Sequence, residues 1–140
     1  MKKILIPIII VIILAMSLFH FNEYKEKNFF QALRVNEDKF LNSDLYYIKQ
    51  DEHTYTKIEN EKLEELTSYL SKYKLQRLSD KEFSESFTPQ YRIETIRNEK
   101  YFIDIYEDFI MIGIIKDSMK FYKIIGGKEY FEHIKTLLEE

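Results

Sequence analysis

Histidines and acidic residues are the side chains of this sequence whose types and spacing could bind a metal. Glu129 and His133 are four residues apart, so both lie on one face of a predicted helix, and this spacing can hold a metal ion. A structural zinc site needs four ligands, and no spacing ties His20 or His53 to this pair. We therefore interpret Glu129 and His133 as a solvated helix pair, and the sequence predicts no metal site.

Nucleophilic catalysis finds little support in the sequence. The chain has no cysteine, and no serine lies in a G-x-S-x-G motif. Gly126 and Gly127 precede a predicted helix, where a backbone anion site is conceivable, but a sharp turn from strand to helix explains them more simply. Gly113, inside an apolar strand, is interpreted as a bulge or a packing gap. The sequence thus predicts no catalytic residue and no cofactor.

Carboxylates are plentiful and could serve as acids and bases of a glycosidase type. Asp104 lies between Phe102 and Tyr106 on one face of a predicted strand, and alternation makes this the less buried face, so we expect Asp104 to be solvated. An enzyme that acts on the cell envelope would need Asp104, Glu107 or His133 to be buried together in one cleft. The sequence alone gives no sign of such a cleft.

Aromatic residues give the strongest indication of a functional surface. The chain has 11 Tyr and 11 Phe. Phe102, Tyr106 and Tyr122 are predicted on the strand faces opposite the core, and either Tyr46 or Tyr47 must join them. Clustered on one sheet face, they would form an amphipathic binding surface. The alternative is that they are cross-strand pairs that only stabilise the sheet, or that the segment before the domain covers them.

The elements that must position these residues follow from the apolar periodicity. Strands are predicted at residues 45–48, 54–58, 75–78, 91–97, 100–106, 109–115 and 119–125. Helices are predicted at 22–42, 60–74 and 128–138, with Asn60 as the N-cap of the second. A surface loop is expected at 79–88, and turns at 98–99 and 117–118. The run 109–115 is apolar on both faces, which places it centrally in the sheet.

Short links between the later strands favour an antiparallel meander. The predicted fold class is therefore α+β: an N-terminal transmembrane helix followed by a two-layer sandwich, with helices on one face of an antiparallel sheet. Three segments are predicted. Residues 1–21 form the membrane segment, 22–42 a juxtamembrane helix that either forms a stalk or docks on the domain, and 43–140 the folded domain.

The N-terminal segment determines where the protein resides. Lys2 and Lys3 precede an uncharged apolar run that begins at Ile4, which predicts that the N-terminus stays in the cytoplasm and residues 4–21 lie in the membrane. Ala15 and Ser17 fit the spacing of a signal-peptidase site, so cleavage is the alternative. The apolar residues that would follow such a cut favour an uncleaved signal-anchor.

Composition restricts the partners. The net charge is −3, with 24 acidic residues against 21 basic ones. A mildly acidic exterior argues against a nucleic-acid partner and predicts no attraction to anionic lipid. The length beyond the membrane segment is enough for one domain.

Three stretches carry a resemblance to a known group of proteins. They are residues 60–66 (NEKLEEL), 91–96 (YRIETI) and 121–125 (FYKII) before Gly126 and Gly127. With the anchor, they resemble small membrane-anchored extracytoplasmic proteins of low-GC Gram-positive bacteria. Some of these are lipoproteins, and this chain departs from them because it lacks the lipid-bearing cysteine. Such proteins are largely uncharacterised, so the resemblance implies no activity.

The sequence therefore predicts a non-enzymatic binding or regulatory module on the outer side of the cytoplasmic membrane. Its partner would be an envelope protein or a peptide. A self-protection (immunity) protein against a secreted peptide is the first alternative, because it would share the size, the anchor and the missing catalytic residues. An envelope-acting enzyme is the second.

Overall fold

The computed structural model describes residues 2–79, 88–96, 101–115 and 119–140. The predicted loop at 79–88 and the turns at 98–99 and 117–118 lie wholly or largely outside these residues. The helices are α1 (Lys2–Tyr24), α2 (Phe29–Leu33), α3 (Glu37–Leu41), α4 (Asn60–Ser71) and α5 (Tyr130–Glu139). The strands are β1 (Lys27–Asn28), β2 (Leu45–Lys49), β3 (Thr56–Lys57), β4 (Lys74–Arg77), β5 (Tyr91–Thr95), β6 (Tyr101–Ile105), β7 (Phe109–Ile114) and β8 (Met119–Ile125).

The eight strands form one sheet in the order β1-β4-β8-β7-β6-β5-β2-β3, and each of the pairs is antiparallel. Strands β5 to β8 follow one another as neighbours, which confirms the predicted meander. β7 is fourth in the order, which confirms its central position. Both edge strands have two residues. Such short edges offer little template for pairing with another chain.

Helices α2 to α5 bury their apolar residues against one face of the sheet, which we call the inner face. Directly paired residues of neighbouring strands point to the same side of a sheet, so Ile93, Ile103 and Ile112 all lie on the inner face. Ile110 is two residues from Ile112 and points the same way, and Tyr122, which pairs with Ile110, therefore lies on the inner face too. These residues share one core cluster with Leu63 and Leu66 of α4 and Ile134 of α5. The structure is thus the predicted α+β sandwich with its helices on one face.

The segment predicted as a single juxtamembrane helix is instead divided into β1, α2 and α3. Asn28 and Asn36 each accept a backbone hydrogen bond at the start of a short helix, and Arg34 ends α2 with a left-handed backbone (φ 58°). Phe29 is 1% exposed and Phe40 is 0% exposed. Both side chains are part of the core cluster, so this segment packs on the domain, which is the second of the two alternatives that the sequence allowed.

The ends of α4 and α5 differ from the sequence prediction by one to three residues. Glu59, rather than Asn60, is the N-cap of α4, and its side chain makes no capping hydrogen bond. Before α5, Gly126 adopts a positive φ of 72°. This conformation favours glycine, as the predicted strand-to-helix turn requires.

Helix α1 projects from the domain. Its span Leu5–Tyr24 is long and apolar enough to cross a membrane, and none of that stretch is buried inside the protein. A membrane anchor and a signal sequence both have these properties.

Candidate functional site

Two of the three predicted surface aromatics, Phe102 and Tyr106, lie on the face opposite the helices, called here the outer face. Tyr106 is nevertheless only 7% exposed, so the prediction that it is a surface residue was wrong. Phe102 lies on it within β6, paired with Glu94 and Gly113, and Tyr106 follows the same strand. Tyr46 also lies on this face, because it pairs with Glu94. Tyr47 points to the inner side and donates a hydrogen bond to the Leu138 carbonyl at 2.7 Å. Whether the outer face binds a partner stays a prediction.

The placement of Tyr122 on the outer face was wrong. Its side chain is 2% exposed and belongs to the core cluster on the inner face. Neighbouring residues of β8 point to opposite faces, and the strand has an aromatic residue on each face, Phe121 and Tyr122. Because Tyr122 pairs with the inward-pointing Ile110, Tyr122 points inward. Phe121 therefore points to the outer face instead.

The expectation that Asp104 is solvated was also wrong. Its side chain is 1% exposed, and its two carboxylate oxygens accept hydrogen bonds from the Nε and Nη2 atoms of Arg92 at 2.6 Å and 2.8 Å. The hydrogen bonds that Arg92 donates to Asp104 raise the pKa of the guanidinium above its ordinary value. A buried carboxylate needs such a partner, since a buried unpaired charge is strongly unfavourable.

Phe102 completes this arrangement. The Arg92 guanidinium carbon lies 4.6 Å from the centre of the Phe102 ring, within cation–π range. On its other side the ring covers Gly113, where an added Cβ would overlap the ring atoms. Gly113 thus leaves the space that the Phe102 ring occupies, which agrees with its interpretation as a packing gap.

Substitution of Gly113 by Ala is expected to lower the free energy of unfolding by about 1–2 kcal/mol, because the new methyl group must displace the Phe102 ring. The measurement is urea unfolding of the full-length protein in detergent micelles, followed by circular dichroism. In a Phe102→Ala background the same substitution should be close to neutral, since the obstructing ring is absent. Equal losses in both backgrounds would show that the ring does not limit this position.

A second group of aromatic rings continues along the outer face. The rings of Tyr106 and Phe109 stack with centroids 4.3 Å apart, and those of Phe109 and Phe121 lie 6.0 Å apart. The single hydroxyl hydrogen of Tyr130 in α5 is shared between the carbonyls of Tyr106 and Phe109, the latter at 2.9 Å, which fixes the β6–β7 turn. Burial raises the pKa of the Tyr106 phenol, so Tyr106 is neutral at physiological pH.

The outer face therefore presents the half-buried rings of Phe102, Phe109 and Phe121 beside a fixed guanidinium group, which can bind apolar and hydrogen-bond-accepting groups of a partner. The sequence prediction missed Arg92, Phe109 and Phe121 as members of this face. Arg92 of β5 and Asp104 of β6 lie directly opposite each other in the strand pairing. A cross-strand search for opposite charges could have found them.

The other sequence-predicted groups do not assemble into one site. Asp104 is buried and paired with the partly exposed Arg92 on the outer face, and Glu107 is exposed. The His133 ring stacks on Tyr69 of α4 with a centroid separation of 3.8 Å. His133 Nε2 lies 3.9 Å from the Glu65 carboxylate. Across residues 2–79, 88–96, 101–115 and 119–140, no group of three or more potential ligands is placed to hold a metal ion.

A cavity of about 280 Å³ lies near the end of α5. Within it, Glu139 accepts hydrogen bonds from Lys49, at 2.7 Å, and from the Tyr91 hydroxyl. These two donors lower the pKa of the Glu139 carboxyl. These three polar groups are thus engaged with one another, as a surface ion pair that joins a helix to a sheet, whereas the side-chain oxygen of Gln90, which also lines the cavity, is buried without a hydrogen-bond partner.

The fold and the outer face together define a small α+β domain carried on an apolar N-terminal helix. No protein-family model matches the sequence, and no curated protein matches it significantly. Among solved structures it is similar to one described as "Crystal Structure of Putative Lipoprotein from Clostridium perfringens", with 14% identity and a TM-score of 0.41, covering 77% of this chain and 97% of that chain. This similarity is too low to transfer a function.

Proposed function

We propose that this protein is a membrane-tethered binding or regulatory module without catalysis, whose outer face binds an envelope protein or a peptide. The observation that supports it most is the state of Arg92. Its side chain is 38% exposed, yet it is held by the buried Asp104 and lies against Phe102. Arginine and aromatic side chains dominate the binding energy of protein interfaces, and a side chain that is already fixed loses less entropy on binding.

The tether is the second part of the proposal. Helix α1 remains uncleaved and crosses the cytoplasmic membrane once, with Lys2 and Lys3 inside and the folded domain outside. A tether confines the domain to the membrane surface and raises its effective concentration toward a partner there. The protein therefore needs only modest intrinsic affinity for that partner.

Replacement of Phe102 by Ala is expected to reduce partner binding about tenfold or more, because it removes the ring that supports Arg92. Full-length tagged protein would be crosslinked in cells, solubilised from membranes and captured, and the bound partners quantified by mass spectrometry. The reduction should appear at unchanged protein abundance.

Phe131→Ala is the matched control, because Phe131 is also half-buried but lies in α5, on the helical side of the sheet. It should leave partner capture unchanged. Tyr122→Ala is unsuitable, since the loss of a core side chain would destabilise the domain and confound the capture result. Normal capture by folded Phe102→Ala would mean that the outer face is not the interface.

A further inference from the structure

Helix α1 leaves the domain from one particular end of the sheet. Strand β1 follows α1 closely and runs antiparallel to β4, with Lys27 opposite Leu75 and Asn28 opposite Lys74. The chain therefore arrives from the side of Arg77, at the end of β4. By the strand pairings, the same end of the sheet contains the start of β8, the end of β7, the start of β6 and the end of β5. We call it the α1 end of the sheet.

Polar contacts fix the last turn of α1 at this end. The Glu23 carboxylate accepts hydrogen bonds from Arg77 and, at 2.7 Å, from Lys120, and it lies 3.9 Å from the Lys27 ammonium. The Tyr24 ring lies 5.3 Å from the Arg77 guanidinium carbon. All four charged side chains are no more than 18% exposed. The helix therefore enters the domain at a defined position.

The length of the uncharged run sets the height of this end above the membrane. Residues 4–22 of α1 carry no charge, and as a helix they measure roughly 28 Å. The hydrocarbon core of a bilayer is about 30 Å thick. Glu23 and the residues that contact it must therefore lie at the level of the lipid headgroups, and the α1 end of the sheet lies beside them.

Exposed apolar side chains are concentrated at the same end. Outside α1, four large apolar residues are exposed in the part of the chain that the structure describes: Tyr55 (43%), Ile96 (43%), Ile115 (38%) and Met119 (58%). The last three follow β5, follow β7 and begin β8, so all three lie at the α1 end. They span three strand spacings, or about 14 Å. Single exposed apolar residues are ordinary, but this grouping next to a membrane helix indicates contact with lipid.

Positive charge accompanies them. Burial and the nearby cations Lys120, Arg34 and Lys25 lower the pKa of the Lys27 ammonium, so these groups share one region of positive potential. With Arg77, and with Lys74 at 4.0 Å from the Glu26 carboxylate, six cations lie in this region together with the carboxylates of Glu23 and Glu26, whereas the whole chain has a net charge of −3. A local basic cluster of this kind can attract anionic lipid, although the average charge of the chain predicts no such attraction.

We propose that the α1 end of the sheet is a membrane-contact surface, in which Ile96, Ile115 and Met119 enter the headgroup layer and the positive charge of the cluster around Lys27 attracts anionic phospholipids. Combined apolar burial and attraction to anionic lipid is the physical basis of interfacial binding. The proposal rests on the uncleaved anchor of the proposed function. Contact of the α1 end with the membrane holds the strands of the sheet roughly perpendicular to the membrane plane. The outer face then points parallel to the membrane, toward partners in the same membrane.

The absence of cysteine allows a direct test with single labels. Met119→Cys and, as control, Asp51→Cys would each carry an environment-sensitive fluorophore, in the full-length protein reconstituted in vesicles. Asp51 is exposed and follows β2 at the opposite end of the sheet. The vesicles would contain equal amounts of phosphatidylcholine and phosphatidylglycerol, with a lipid spin-labelled near the headgroup as quencher. We expect about twofold stronger quenching at position 119 than at position 51.

Two further arms test the lipid chemistry. The difference between the two positions should shrink in vesicles of phosphatidylcholine alone, and also when Lys25→Gln and Lys27→Gln are combined. Equal quenching at both positions would overturn the proposal. A difference in quenching that stays the same in phosphatidylcholine vesicles and in the double lysine variant would overturn it as well. Because the vesicles hold the intact chain, verified by mass, these results do not depend on partner capture or on cleavage in cells, whose failures would count only against the proposed function.

Discussion

Replacement of Phe40 by Ala is expected to lower the free energy of unfolding by about 4 kcal/mol. Phe40 is 0% exposed in α3, and its ring packs against Phe30 at 5.4 Å and against Tyr101 of β6 at 6.2 Å between centroids. Removal of the ring leaves a cavity between the first short helices and the sheet. Urea unfolding of the full-length protein in detergent micelles, followed by circular dichroism, would measure the loss.

Phe21→Ala is the matched control for this prediction, because it removes the same atoms from a side chain that is 70% exposed on α1. It should change the unfolding of the domain by less than about 0.5 kcal/mol. If the two variants proved equally stable, the segment between α1 and β2 would be a stalk. A large and specific loss in Phe40→Ala would establish that segment as part of the core.

The second half of the chain was the part of the fold most readily predicted from the sequence. Strands β5 to β8 have sequences in which apolar and polar residues alternate or in which all residues are apolar. The links between these strands are short, so an antiparallel meander is the simplest arrangement. Helix α4 has a clear apolar stripe in Leu63, Leu66 and Leu70. In these elements the local pattern and the tertiary packing agree, so the pattern alone was sufficient.

The segment before β2 could not be predicted in the same way. Helices α2 and α3 have five residues each, too few for a recognisable period, and they form because Asn caps and core packing stabilise them. Only the tertiary structure shows that Phe29 and Phe40 belong to the core. A charged segment with scattered aromatics fits a stalk equally well until its partners are known.

The candidate site was predicted in part, for a related reason. Alternation places Phe102 correctly, because Tyr101, Ile103 and Ile105 leave one choice of inner face. In β8 the two choices are nearly equal in apolarity, so the face of Tyr122 depends on the register with β7. Burial of Asp104 likewise depends on a residue of another strand, Arg92. Properties that arise from pairing between strands are not visible in a single strand.

Replacement of Arg92 by Leu is expected to lower the free energy of unfolding by about 3 kcal/mol, because it leaves the carboxylate of Asp104 buried without its partner. This loss is at the lower end of the range for buried ion pairs, because the Arg92 side chain is partly exposed and solvent screens its charge. Arg92→Lys should lose less, since it keeps the charge and loses the two-pronged geometry. Urea unfolding in detergent micelles would again provide the measurement.

The double variant Arg92→Leu with Asp104→Leu separates the stability of this pair from its role in binding. Removal of both charges eliminates the buried unpaired carboxylate, so most of the lost stability should return, as a strongly non-additive double-mutant cycle. Additive losses would show that the pair does not act as a unit. The recovered protein would be folded but would lack the fixed guanidinium, so it should still bind its partner poorly. Restored binding together with restored stability would mean that Arg92 stabilises the sheet and does not contact the partner.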